Sequence, residues 1–269
     1  MRFWGVRGSA PTPCRENLGV GGNTSCVQLE MADEPVVIFD AGTGIRMLGQ
    51  QLVSQAGGRP LDIHLLFTHF HWDHVLGLPF FLPLYDSQTS LTIYSSSFSA
   101  PLCSSVAGLM KYPYFPVEFE AVPARVRLVD VRESGVSVGK TEVQPFPVFH
   151  PQGACGYRIR ASGTTVVYTP DREPGDERLN QTVREYASGA DLLIHDAQHT
   201  PEEYAIYRGR GHSSWTEAAQ VARDSAVKKL VLFHHDPLHT DDMILRITSQ
   251  AKLMFPNTEA AREGVSVEI

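Results

Sequence analysis

The sequence contains no apolar run long enough to span a membrane, so neither a transmembrane helix nor a membrane partner is expected. Residues 1–5 resemble a strand and not a charged-then-apolar leader, so we expect no secretion signal. The four cysteines are widely spaced without a C-x-x-C pair, which indicates reduced thiols and not disulfides or cysteine-based zinc ligands. Together these absences favour a cytoplasmic protein.

The sequence also lacks a dense stripe of Lys and Arg, and its net charge is -7. Because tight binding of long nucleic acids needs many contacts between cations and phosphates, we expect no such partner, although a small nucleotide is compatible. Hydrophobic residues make up 42% of the 269-residue chain. This is enough for one sizeable core, so we expect residues 1–269 to form a single domain.

Strand-like and helix-like segments alternate along the chain, which indicates mixed α and β structure. The patterns predict strands at residues 1–5, 26–31, 35–40, 63–67, 91–94 and 230–233, with several more between 125 and 168. They predict helices at residues 44–56, shortly after Asp73, and at 98–111, 179–187, 214–225 and beyond 242.

The densest polar group is the segment 68–74, which reads T-H-F-H-W-D-H directly after the apolar run 63–67. Side chains alternate along a strand, so His69 and His71 should project to the same side. Asp73 and His74 then lie at the start of the next segment. This division into a His pair and an Asp-His pair suits two adjacent metal ions, and imidazole with carboxylate fits zinc, iron or manganese.

This motif resembles that of the metallo-β-lactamase superfamily of binuclear hydrolases, and further candidate ligands follow in the superfamily's order, each after a strand-like run. The resemblance implies an α+β fold, a four-layer αββα sandwich, with the site between two β-rich halves. It also implies one metal at His69, His71 and His150, another at Asp73, His74 and His234, and Asp171 bridging both. The adjacent His235 leaves a reversed assignment with His234 open.

The resemblance implies two divalent ions, zinc first with manganese or iron as alternatives, and a bridging hydroxide as nucleophile. Such a centre attacks carbonyl and phosphoryl groups alike, so other residues must indicate the substrate. Arg208 and Arg210 are weaker candidates for phosphate contacts. The glycine-rich segments 5–9 and 21–25 look like the amino-terminal loops that approach the site in these hydrolases. His64 lies within a strand and is expected to be structural.

His212 lies just before Ser214 and Glu217, whose spacing is that of a capping box at a helix start. A helix N-terminus favours an anion such as phosphate, and an imidazole there can protonate a departing alkoxide, as phosphodiester cleavage requires. The G-H-S-S element looks like that of the phosphodiesterase branch, which includes the tRNA 3′-processing endonucleases. The candidate catalytic residues are therefore His212, as general acid, Asp73 and Asp196, and Asp196 is expected to orient His212 or a ligand imidazole.

The leading hypothesis is a phosphodiesterase for a small or cyclic, nucleotide-like phosphodiester. The insert 84–124 contains Lys111 as its single cationic residue, whereas the tRNA-processing endonucleases carry a protruding arm with basic residues. The alternatives are an acyl hydrolase of the lactonase, thioesterase or β-lactamase kind, a tRNA 3′-processing endonuclease, and a non-catalytic or redox-sensing metal-binding relative. The resemblance also allows a homodimer.

Overall fold

A computed structural model describes residues 1–96, 101–131 and 134–269, and the strands in these residues form two sheets. The first sheet has six strands in chain order: β1 (Arg2–Gly5), β2 (Cys26–Leu29), β3 (Val36–Phe39), β4 (Asp62–Phe67), β5 (Ser90–Ser96) and β6 (Arg125–Val131). The second has seven, side by side in the order of the chain: β7 (Val136–Val138), β8 (Thr141–Val148), β9 (Ala154–Ala161), β10 (Thr164–Thr169), β11 (Leu192–Asp196), β12 (Leu230–Phe233) and β13 (Thr258–Ala260).

Seven helices in the described residues cover the sheets or lie at their ends: α1 (Ile45–Ala56), α2 (Trp72–Val75), α3 (Leu102–Leu109), α4 (Glu177–Ala187), α5 (Pro201–Tyr207), α6 (Trp215–Asp224) and α7 (Asp241–Met254). Helices α1 and α3 share a core with the first sheet, and α4, α6 and α7 share one with the second. None of the helices in the described ranges is both long and apolar enough to cross a membrane.

A third core lies between the two sheets. Successive residues of a strand point to opposite faces, so Leu65 packs on the helices of the first sheet while Leu66 faces the second sheet. The ring of Phe39 in β3 lies 5.7 Å from the rings of Tyr157 in β9 and Tyr168 in β10. These three cores define four layers and confirm the predicted αββα sandwich. The expectation of a single domain over residues 1–269 stays a prediction.

Most predicted elements are present, and the differences have local causes. Helix α1 ends where Gly57 adopts φ 56° and donates its N–H to the Val53 carbonyl, as helix C-termini commonly do. Within the predicted helix 98–111 the structure has α3 at Leu102–Leu109, which ends two residues before the predicted end; positions 98–100 lie outside the described residues. Helix α5 was not predicted, although Thr200 caps it through a complete capping box with Glu203.

Candidate metal centre

The structure brings all seven predicted ligands to one edge of the sandwich, where β4, β8, β10 and β12 end. Parallel strands end at the same edge of a sheet, which explains why residues distant in sequence meet there. One group contains His69, His71 and His150; the other contains Asp73, His74, Asp171 and His234. Within each group the candidate ligand atoms lie within 4.8 Å of one another.

Asp171 lies between the two groups. Its Oδ2 is 2.9 Å from His74 Nε2 and 3.3 Å from His234 Nε2, and its Oδ1 is 4.0 Å from His150 Nε2. Burial would raise the pKa of Asp171, but His234 and His74 outweigh burial and hold it well below its usual value. The carboxylate therefore stays ionised at the place where a bridge between two cations is predicted.

The donor atoms of the cluster fit divalent metal ions. His69 Nε2 is buried and makes no hydrogen bond within the described chain. A buried polar atom without a partner is costly, and metal coordination would satisfy this nitrogen. Burial also lowers the pKa of His69 well below its ordinary value, so its ring is neutral and can coordinate. Imidazole nitrogens and carboxylate oxygens are typical ligands of zinc, manganese and iron.

Hydrogen bonds outside the cluster orient its imidazoles. Four rings place Nδ1 on a protein oxygen: His69 on Thr68 Oγ1 at 3.1 Å, His74 on Asp40 Oδ2 at 3.0 Å, His150 on the Gly211 carbonyl at 2.8 Å, and His234 on Gln198 Oε1 at 2.9 Å. With Nδ1 engaged outside, Nε2 points into the cluster. His71 is reversed: its Nε2 contacts Gln152 Oε1 at 3.2 Å, and its Nδ1 lies 3.1 Å from His150 Nε2.

Asp40 and Gln198 also contact the cluster and are not among the residues predicted from the sequence. The fully buried Asp40 carboxylate accepts hydrogen bonds from Thr68 N, Thr68 Oγ1 and Tyr168 Oη, at 2.8 to 3.0 Å, besides contacting His74. Asp40 follows β3 directly, so an acid at a strand end, the pattern that indicated Asp171, could have found it. Gln198 follows β11 after only one intervening residue, but a lone amide carries no comparable signal.

His212 lies beside the cluster with a carboxylate on either side. Its Nδ1 is 3.1 Å from Asp196 Oδ2 and 3.6 Å from Asp171 Oδ1, and its ring stacks on His234 with centroids 4.9 Å apart. Burial would lower the pKa of His212, but the two carboxylates raise it to about 9. Asp196 also accepts N–H bonds from Arg172 and Gln198, which fix its own position. The protonated imidazole can therefore donate from this place.

The expected capping box before α6 is only half formed. Ser214 Oγ accepts the Glu217 N–H at 3.3 Å, but the Glu217 carboxylate bonds the buried Arg172 guanidinium at 3.0 Å instead of returning to the helix start. His212 still lies two residues before this N-cap, as predicted.

His235 and His64 are not part of the cluster. His235 is buried, with Nε2 on the Ala261 carbonyl at 3.1 Å, so His234 alone of the pair reaches the centre. His64 Nδ1 contacts Tyr94 Oη at 2.8 Å on the neighbouring strand, in keeping with a structural role.

The amino-terminal loop reaches the site through its backbone. The Ser9 N–H donates to Asp73 Oδ2 at 2.7 Å, while the Arg7 side chain is buried on backbone carbonyls and does not face the centre. Gly8 packs against His234, and any side chain there would overlap that ring. Arg208 and Arg210 precede His212 in the chain. The Arg208 guanidinium lies 5.4 Å from the centre of the Tyr204 ring, and the Arg210 guanidinium lies 4.6 Å from the centre of the Tyr207 ring.

Known proteins resemble the chain in sequence and in fold. Residues 36–235 match the family described as the Beta-lactamase superfamily domain. The chain is 27% identical to Ribonuclease Z of Thermoplasma acidophilum over 323 positions, which cover 99% of this chain and 95% of the relative. The solved structure of YhfI from Bacillus subtilis has 20% identity and a TM-score of 0.71, and covers 98% of this chain and 96% of YhfI. Short-form human tRNase Z has 20% identity and a TM-score of 0.67, and covers 100% and 99%. At these identities the two structures show a shared fold.

Proposed function

Because the chain belongs to the metallo-β-lactamase superfamily and is a metal-dependent hydrolase, we propose that it cleaves phosphodiester bonds with two divalent ions, zinc first, held by its His/Asp cluster. The first ion would take His69, His71 and His150, and the second Asp73, His74 and His234, with Asp171 bridging. When bound, such a pair supplies hydroxide at neutral pH and neutralises charge on the attacked oxygens.

The observation that carries the phosphodiester assignment is the position of His212. It is paired with Asp196 at 3.1 Å, lies beside Asp171, and precedes the N-terminus of α6. We propose that Asp196 orients this imidazole and that Nε2 donates a proton to the leaving oxygen. An alkoxide leaving group needs such a donor more than the opening of a β-lactam does, so the acyl hydrolase is the weaker alternative.

The relatives favour a different substrate from the small phosphodiester that the sequence pattern predicts. Curated relatives that align with nearly the whole chain are named Ribonuclease Z, and a structure of the same fold is a human tRNase Z. These names support a tRNA 3′-processing endonuclease, so a tRNA precursor is the first substrate that we propose. They contradict the expectation of no long nucleic acid partner.

A small or cyclic phosphodiester is the second candidate, for one specific reason. The alignment with the Thermoplasma relative spans 323 positions, whereas this chain has 269 residues, so the relative contains segments that this chain lacks. The insert 84–124 contributes Lys111 as its single cation, and the net charge is -7. Tight binding to a tRNA backbone needs more cationic contacts than this segment offers.

A comparison of substrates tests these proposals. We expect bis(p-nitrophenyl) phosphate to be hydrolysed by protein of known zinc, manganese and iron content, with little turnover of p-nitrophenyl acetate. A tRNA precursor with a 3′ trailer and a set of cyclic nucleotides then separate the two substrate candidates. Ester turnover alone, with two ions bound, would overturn the phosphodiester assignment. Light scattering of the same preparation tests the homodimer.

A further inference from the structure

A buried carboxylate outside the predicted ligand set holds the loop beside the centre. Glu173 is 2% exposed, and its two carboxylate oxygens accept the backbone N–H groups of Gly209 and Gly211 at 2.6 and 2.8 Å. These two N–H groups belong to the loop between α5 and α6 and not to a helix or strand. Because a backbone N–H buried without a partner is costly, the loop conformation depends on this carboxylate.

Gly211 is held from two sides. Its N–H donates to Glu173, and its carbonyl accepts the Nδ1–H of His150 at 2.8 Å. Its φ of 93° disfavours any side chain, and a Cβ built there would overlap the His150 ring. The position of Gly211 therefore determines how His150 is oriented and which of its nitrogens faces the cluster.

The same loop carries two arginines that lie close in sequence to the candidate general acid. Arg208 and Arg210 flank Gly209, and His212 follows directly after Gly211. The Tyr204 ring lies under Arg208, and its hydroxyl donates to Glu173 at 3.5 Å. Glu173 thus contacts the loop at both glycines and also contacts the aromatic ring under one guanidinium.

We propose that Glu173 is a positioning residue. It holds residues 208–211 so that Gly211 fixes His150 with Nε2 toward a metal ion, and so that the segment carrying Arg208 and Arg210, directly before His212 in the chain, keeps one conformation for an anionic substrate. This role rests on the proposed function, because it requires that His150 binds a metal.

The variant Glu173→Gln tests the role with little change of shape. The glutamine oxygen can accept one loop N–H, but its NH₂ group then faces the other, so one of the two hydrogen bonds is lost. In competition with a chromophoric chelator, we expect zinc affinity to fall about 10- to 100-fold, the usual effect of losing a group that orients a metal ligand. KM for bis(p-nitrophenyl) phosphate should rise, and kcat should recover at saturating zinc. Glu202→Gln, which makes the same charge change at an exposed position of α5, is the matched control.

The outcomes separate this role from the proposed function. A folded Glu173→Gln protein with wild-type zinc affinity and KM would overturn the positioning role. Should that variant fail to fold, Gly211→Ala displaces His150 from the other side, and unchanged zinc affinity there overturns the role equally. A wild-type protein that binds no zinc, manganese or iron would instead overturn the proposed function itself.

Discussion

The two halves of the molecule contribute to the centre in opposite ways. In the first sheet, four of the predicted ligands follow one strand, β4, within residues 69–74. In the second sheet, His150, Asp171 and His234 follow three different strands, and His212 comes from a loop. The first group is close in sequence, whereas the second comes together only when the strands are aligned in a sheet.

The chemical roles divide along the same line. The first half supplies side chains that point into the cluster and one buried carboxylate, Asp40, behind them. The second half supplies the carboxylate that touches both groups, Asp171, and the imidazole that is not a predicted ligand, His212. Under the proposed function, the first half supplies four ligands from one strand end, while the second half supplies three ligands, including the carboxylate that links the two groups, and adds the proton donor.

Asp171→Ala should have the largest effect of these variants. It removes a second-half carboxylate that contacts both groups of candidate ligands. We expect loss of both ions and a fall in phosphodiester turnover of about 10³-fold or more, since bridged ions supply several kcal/mol of stabilisation. Metal analysis and bis(p-nitrophenyl) phosphate assays measure this, with the exposed Asp242→Ala as control. Two retained ions with full turnover would remove Asp171 from the site.

His212→Ala should separate proton donation from metal retention. We expect both ions to stay bound while turnover falls by about 10²-fold or more, the usual contribution of a general acid. The same metal analysis and assay apply, with His64→Ala as an imidazole removed far from the site. Unchanged turnover would reduce His212 to a packing residue.

Asp40→Asn tests metal retention by the first half. An amide holds the Nδ1–H of His74 less strongly than a carboxylate, so zinc affinity should fall about 10- to 100-fold, with turnover restored at saturating zinc. Chelator competition measures the affinity, and Asp62→Asn on the exposed end of β4 serves as control. An unchanged affinity would contradict the role proposed for Asp40 in holding His74.

Asp196→Asn is the corresponding change in the second half and should have the smallest effect. The amide can still contact His212 but holds its protonated form less well, so turnover should fall about 10-fold while zinc affinity stays unchanged. Kinetics and chelator competition on one preparation measure both quantities. Equal losses of zinc affinity in the Asp40 and Asp196 variants would contradict the separate roles proposed for these two carboxylates.

The sequence pattern indicated the clustered residues better than it indicated the residues that hold their imidazoles in place. Residues 69–74 are dense enough to be recognised alone, and His150, Asp171 and His234 follow clear strands. Asp40 is a single acid after a short strand; its place at a strand end is its one local signal, and a turn residue can show the same signal.

Two other features differ from what the sequence pattern predicts. The capping-box spacing of Ser214 and Glu217 was real, but the buried Arg172 competes for the Glu217 carboxylate. Helix α5 has seven residues, too few for a periodic apolar pattern, and only its capping residues indicate it.

The hydrogen bond between Tyr168 and Asp40 has a consequence for the order of folding. Tyr168 lies in the second sheet, and its hydroxyl reaches Asp40 in the first across 128 residues of sequence. Asp40 in turn holds His74, so this ring gains its full support only after the two sheets have packed. Contacts between such distant residues form late. Before that step the newly made chain offers an ion only the local motif, and tight uptake of the metal should coincide with closure of the sandwich.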